Sequence, residues 1–307
     1  MALGLAQHIP GDKLTIVANV GDDEWFHGMK VCPDVDTILY TLAGIVDKTQ
    51  GWGVADDTDR ALQMLQTLGA DDTWMKLGDR DLALHIHRTA RLREGRSLSS
   101  VVREISRALG ICATVVPASD DEMPTVVHTL AGRLRFQEWF VQRRAEPPVV
   151  ALDYQNAALI RASETALRGV ESADLIVIAP SNPLLSILPI LAIPGIREAM
   201  RFASAPRIVV SPLICGRPVK GPLASLITDL GLQPGNAGIA RMYDGFIDAM
   251  VVDDSDAHDA ASIANDRSIS VLTANTRIPD AASSAELAEV LLSWVPSGCG
   301  QTEGVGK

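Results

Sequence analysis

The chain predicts an α/β fold: a Rossmann-like, mostly parallel sheet with helices on both faces, plus a helical and β-hairpin insertion. Three observations carry that reading. Short apolar runs recur and end in polar or turn-forming residues, as buried parallel strands running into loops do. Amphipathic helical stretches alternate with those runs. One stretch, from Ala113 to Val150, breaks the alternation.

In chain order, Met1 to Ile9 places Leu3, Leu5 and Ile9 in a short helical pattern and leads into a strand at Thr15 to Val20, before Gly21-Asp22-Asp23. Cys32-Pro33-Asp34-Val35-Asp36-Thr37 opens an apolar helix, with Asp36 placed to cap it. A helix over Thr58 to Leu68 stacks Leu62, Leu65 and Leu68 and stops at Gly69; another over Leu98 to Leu109 has Ser97 as N-cap. Thr125 to Thr129, a turn at Ala131-Gly132 and Arg133 to Val141 read as an antiparallel hairpin. Further strands follow at Leu175 to Ala179, Arg207 to Val210, Ala249 to Val252 and Ser270 to Leu272. A last helix begins at Ser283, whose Glu286 completes a capping box. This divides the chain into an α/β core at 1–81 and 151–300, an insertion at 82–150 and a frayed tail at 301–307.

The 307 residues carry 27 Lys and Arg against 38 Asp and Glu, a formal net charge of −11. Sequence-independent binding to nucleic acid or to an anionic membrane needs clustered cations, so both are excluded. The four cysteines are far apart and read as reduced thiols of a cytoplasmic protein. The most apolar run, Ile187 to Ile196, is broken by Pro189 and Pro194, so no membrane span is expected.

Ligands of such sheets bind beyond the carboxyl ends of the strands. Asp22 and Asp23 stand at one such end, where carboxylates suit magnesium or form a solvated turn. Asp34 and Asp36 either face a ligand across from Asp22 or serve the helix start. Lys76-Leu77-Gly78-Asp79-Arg80-Asp81 is a mixed-charge turn or a phosphate clamp. Pro180-Ser181-Asn182-Pro183, Ser211-Pro212 and Lys220-Gly221-Pro222 offer hydroxyl, amide and ammonium groups after strands. His85 and His87, two apart on a helix, point away from each other. No nucleophile elbow, Walker loop or complete dinucleotide fingerprint is present.

Together these segments resemble the 2-phospho-L-lactate transferase family of coenzyme F420 biosynthesis. The resemblance rests on Asn19-Val20-Gly21-Asp22-Asp23, Pro33-Asp34-Val35-Asp36-Thr37, Gly51-Trp52-Gly53, Leu77-Gly78-Asp79-Arg80-Asp81 with His85, Phe136-Gln137-Glu138, Pro180-Ser181-Asn182-Pro183, Ser211-Pro212 and Lys220-Gly221-Pro222. It implies a magnesium-dependent enzyme that moves a phospholactyl or phosphoenolpyruvyl group from a guanosine diphosphate-linked donor to the deazaflavin alcohol Fo, releasing GMP. It further implies that Asp36 and Lys76 bind Fo and that Ser181, Asn182 and Lys220 hold the nucleotide. Asp22 and Asp36 are its implied catalytic and metal-binding pair, and a homodimer is its implied assembly. Family members begin with a strand and a glycine-rich turn; Met1 aligns just beyond them, so a natural start upstream is expected. The competing expectation is a non-catalytic nucleotide-binding regulatory protein on the same scaffold, like the gluconeogenesis-factor relatives.

Overall fold

A computed structural model describes residues 1–294. The predicted tail at 301–307 lies outside the described residues. The chain opens with helix α1 (Ala2–His8), strand β1 (Thr15–Ala18) and a small hairpin of β2 (Glu24–Phe26) and β3 (Met29–Val31). Helices α2 (Pro33–Leu42), α3 (Arg60–Thr67), α4 (Asp79–Arg93) and α5 (Leu98–Ala108) follow, then β4 (Thr114–Pro117). An antiparallel sheet is built from β5 (Thr125–Thr129), β6 (Gly132–Arg135) and β7 (Val149–Tyr154), with β5 in the middle. The second half runs α6 (Glu164–Glu171), β8 (Ile176–Ile178), α7 (Leu188–Ala192), α8 (Pro194–Phe202) and β9 (Arg207–Val210). It ends with the short β10 (Leu213–Ile214) and β11 (Arg217–Pro218), α9 (Leu223–Asp229), α10 (Gly235–Met242), β12 (Ala249–Asp253), α11 (Ala260–Arg267), β13 (Ser270–Ala274) and α12 (Ala281–Ser293).

The parallel strands form two blocks. β8, β9, β12 and β13 make a four-stranded sheet in the order β13-β12-β9-β8, and β1 pairs in parallel with β4. Because side chains alternate across a strand, β9 and β12 feed two apolar layers. Val209, Met250 and Val252 join the main core with Leu226, Ile239 and Ile263. Ile208, Val210, Ala249 and Val251 pack instead on Leu287 and Leu291 of α12. Strands buried on both faces must be apolar throughout, which is why this sheet was legible as continuous runs. Ile16 of β1 and Val177 of β8 meet one smaller cluster with Leu5 of α1 and Ala288 of α12. There Gly4 is required, since a β-carbon would lie 1.9 Å from the Ser284 carbonyl oxygen.

Several local expectations are corrected. Within the stretch expected as an insertion at 82–150, β4 pairs in parallel with β1, and its Val115 and Val116 are buried there. The excursion is the antiparallel sheet, which extends past 150 to Tyr154. The second hairpin strand stops at Arg135, and Glu138–Gln142 coils into a π-helical turn that buries Trp139. The cap of α12 is Asp280, which accepts the Ser283 N–H, and not Ser283. Ser97 does cap α5, accepting from Ser100 N–H. Among the described residues no single helix is long and apolar enough to cross a membrane. The apolar stretch Pro183–Ala192 and Pro194–Phe202 bends by 91° and buries Leu184, Leu185, Leu191, Ile196 and Met200 in the core. Among the described residues Cys32, Cys112 and Cys215 form no disulfide, Cys32 being buried.

Candidate functional site

Beyond the carboxyl end of β1 the chain turns at Asn19 to Asp23, and all five residues are buried. The turn is held from outside: Thr125 N–H donates to the Gly21 carbonyl (2.7 Å) and Gln137 Nε2 to the Asp22 carbonyl (3.1 Å). Asn19 organises the carboxylates. Its Nδ2 donates to Asp34 Oδ2 (3.0 Å) and to the Leu185 carbonyl (3.2 Å), and lies 3.5 Å from Asp22 Oδ1. Its Oδ1 accepts the Gly21 N–H at 2.8 Å. Asp34 arrives from the first turn of α2, which Pro33 starts.

These carboxylates are crowded and poorly compensated. Burial, then the charges of Asp34 and Asp23, push Asp22 well above the usual carboxylate range. Burial raises Asp34 as well, against the Asn19 hydrogen bond. Burial lifts Asp23 to about 7 even though Lys30 Nζ stands 3.8 Å from its Oδ2. Among the described residues Asp23 Oδ1 has no hydrogen-bond partner. A hard divalent cation that prefers carboxylate oxygens would relieve this repulsion, so the donor set fits magnesium.

Asp36 sits two residues further into α2, in the same first turn, and is spoken for. Its side chain does not cap the helix. Instead the guanidinium of Arg88, fully buried on α4, takes both oxygens: Nη2 meets Oδ1 and Nη1 meets Oδ2 at 3.1 Å. His85 Nδ1 lies 3.6 Å from Asp36 Oδ2, and its Nε2 lies 3.3 Å from Asp81 Oδ2. The Tyr40 hydroxyl donates to Asp81 Oδ1 at 2.5 Å. Burial works against ionised Asp81, but His85, Tyr40 and Arg88 hold it below its ordinary value. Asp36, Asp81 and His85 are the one trio of metal-capable side chains within 4.8 Å among the described residues. Arg88 supplies positive charge there, so both oxygens of Asp36 are engaged by a guanidinium, while Asp22 and Asp34 share the Asn19 amide. Sequence reasoning missed Arg88, and it met Tyr40 only within a matching Tyr40-Thr41-Leu42 stretch, without a role. The spacing of Asp81, His85 and Arg88, four and three apart on one helix, puts them on one face and was the available signal.

The Lys76–Asp81 segment resolves into reciprocal caps. Asp57 accepts the Arg80 and Asp81 N–H groups at the start of α4, while Asp79 accepts those of Arg60 and Ala61 at the start of α3. Gly78 is needed because a β-carbon would fall 2.2 Å from Asp57 Oδ2. Lys76 is exposed; hydrogen bonds from Gln50 and Thr49 hold Asp47 below its ordinary value, and the Lys76 charge adds to them. Lys220, also exposed, has its Nζ 3.3 Å from where a Gly51 β-carbon would stand. Lys220 therefore stands beside the loop from Asp47 to Gly53. Ser181 and Asn182 follow β8, and Asn182 Oδ1 accepts the Leu184 and Leu185 N–H groups. Among the described residues no hydrogen bond links them to Lys220.

Residues 1–287 match the family described as 2-phospho-L-lactate transferase CofD. The chain belongs to this family. It is 35% identical to the 2-phospho-L-lactate transferase of Methanosarcina acetivorans over 96% of the chain and 95% of that protein. It is 38% identical to the phosphoenolpyruvate transferase of Mycobacterium leprae over 90% of the chain and 88% of that protein. The fold is shared with a UPF0052 family protein from Bacillus halodurans, with a TM-score of 0.57 and 15% identity across 95% of this chain and 96% of that one.

Proposed function

We propose that this chain is a cytoplasmic transferase that moves a phospholactyl or phosphoenolpyruvyl group from a guanosine diphosphate-linked donor to Fo, releasing GMP. The observation that carries the reading is the buried group of Asp22, Asp23 and Asp34 around Asn19. It stands at a strand end, in a chain aligned almost end to end with relatives bearing transferase names. A terminal hydroxyl of the acceptor attacks the phosphorus that bears the three-carbon group, and GMP leaves in line. Such transfers depend on positioning and on charge neutralisation.

Asp22 and Asp34 would hold magnesium, which supplies positive charge to the donor's phosphate oxygens when bound. Asp36, oriented by Arg88, and Lys76 serve the acceptor. Lys220, Ser181 and Asn182 serve the guanosine nucleotide, and two copies associate as a homodimer. A non-catalytic regulatory role is not favoured, because the curated relatives matched over most of their length carry transferase names.

The test is incubation with Fo, magnesium and either donor, with mass analysis of the conjugate. Asp22→Asn should lower turnover at least a hundredfold at saturating substrates, and activity should not return on raising magnesium. Absence of any conjugate from either donor with the unaltered chain overturns the reading.

A further inference from the structure

Residues 87–107 carry six arginines and no lysine against two glutamates, in a chain whose net charge is −11. Arg88 is used inside the fold by Asp36, whereas Arg96, Arg103 and Arg107 are exposed. On α5, Ser100, Arg103, Glu104 and Arg107 recur at spacings of three and four, so they share one face, opposite the buried Leu98, Val102 and Ile105. Together with Arg96, just before the helix, they line an open groove of about 400 Å3.

Among the described residues Glu104 is the one carboxylate lining this groove, and it is already engaged. Its Oε1 lies 2.9 Å from His87 Nε2 and accepts from Arg91 Nε at 3.1 Å, and its Oε2 meets Arg96 Nη1. Arg96 is held along the groove by Ser100 Oγ, which accepts from its Nε at 3.3 Å and its Nη2 at 3.1 Å. Among the described residues Arg103 and Arg107 make neither a hydrogen bond nor an ion pair. Four apart on one helix, they repel each other. Arg107 stands in the last turn, where a cation is favoured by the helix dipole; Arg103 does not. The fold therefore draws no ionic support from Arg103, and its charge is free for something outside the chain.

We propose that this outer face of α5 is a docking surface for an acidic segment of a different protein, whose carboxylates pair with Arg96, Arg103 and Arg107. Guanidinium forks match carboxylates in a two-point geometry that ammonium groups lack, and the cations here are all arginines. From position 96 to position 107 the groove runs about 16 Å at the helical rise, the reach of about five residues of extended chain. A nucleic acid carries its charge far beyond that span, onto an otherwise acidic chain that repels it. A second copy of this chain is disfavoured too, because a two-fold contact here sets arginine against arginine. The assignment does not depend on the transferase reading.

The probe is a fluorescein-labelled peptide of about five consecutive glutamates, titrated with the unaltered chain at low ionic strength and followed by anisotropy. It should bind, and added salt should weaken it, since exposed charge pairs are screened. Arg103→Gln combined with Arg107→Gln should weaken binding about tenfold. The melting temperature should not fall, because both side chains are exposed and unpartnered among the described residues. Arg133→Gln combined with Arg217→Gln removes the same charge from exposed positions elsewhere and should leave the affinity as it was. Three results overturn the proposal: no binding by the unaltered chain, unchanged affinity in the Arg103 and Arg107 variant, or an equal loss in the Arg133 and Arg217 variant. Tighter binding of a single-stranded oligonucleotide of matched charge, lost in the Arg103 and Arg107 variant, also overturns it, since the face would then read phosphate and not an acidic protein segment.

Discussion

Two strand ends of this molecule carry buried aspartates and treat them in opposite ways. At the end of β12, Asp253 accepts four hydrogen bonds, from the N–H and hydroxyl of Ser255 and of Thr276, all between 2.6 and 3.2 Å. Beside it Ser211 donates to Asn236, which donates to Asp259. At the end of β1, Asp22, Asp23 and Asp34 share one asparagine and one lysine among them. The first end consumes its own polar groups and fastens the loops after β9, β12 and β13. The second leaves negative charge and open hydrogen-bonding capacity at the crevice. Polar residues at strand ends are therefore not equivalent, and what separates them is whether the protein itself supplies their partners.

Arg88 provides the largest expected break in this contrast, because it makes Asp36 resemble the satisfied end although it lies beside the unsatisfied one. Arg88→Met strands a buried carboxylate and should destabilise the chain by about 3–5 kcal/mol in urea unfolding. Pairing it with Asp36→Leu removes the stranded charge and should recover part of that loss, though not turnover. Recovery of turnover in the double variant would show that the Asp36–Arg88 pair serves stability only.

The next effect is a difference of sign with pH. Asp23 has its pKa lifted from 3.8 to about 7 in the folded chain, so the native state keeps a proton that the unfolded chain has lost. Its contribution is therefore favourable below about pH 4 to 7 and declines as pH rises through that window. For Asp253, burial pulls upward but the bonds from Ser255 and Thr276 outweigh it and set the pKa below 3.8. Its contribution is present above that value and is lost as pH falls through the lower folded value. Unfolding free energies measured in chelator from pH 3 to 8 should show Asp23→Asn flattening the decline between about pH 4 and 7. Asp253→Asn should lower stability by about 1–3 kcal/mol at neutral pH and keep that decline. Matching slopes in the two variants would mean that the two strand ends are electrostatically alike.

The same contrast explains what could be read in the sequence. Strands β9 and β12 were legible because burial on both faces demands unbroken apolar runs, and α5 because Ser97 and Gly110 mark its ends. β4 is not legible as a core strand: its run, Thr114–Pro117, is short, ends in a proline and is followed by a hairpin, so nothing local announces a parallel partner about a hundred residues earlier. At the site, the carboxylates were legible one by one, since they stand in turns. Their satisfaction was not, because it depends on Arg88, Asn19 and Thr125 arriving from other elements.

Asn182 gives the smallest and most discriminating effect, because it stands at a third strand end and has a foot in each class. Its Oδ1 is already used by the Leu184 and Leu185 N–H groups, which makes it resemble Asp253. Its Nδ2 makes no hydrogen bond among the described residues, which makes it resemble the open end. Asn182→Ala should therefore cost about 1 kcal/mol as a lost cap. Asn182→Asp keeps the accepting oxygen and should restore that stability to within about 0.5 kcal/mol. If the amide N–H groups bind the nucleotide, the donor KM should stay raised in the aspartate variant although the fold has recovered, because the carboxylate replaces a donor with a charge that repels phosphate. A donor KM that recovers together with stability would place Asn182 wholly with Asp253, as a residue that shapes the crevice without touching what binds in it.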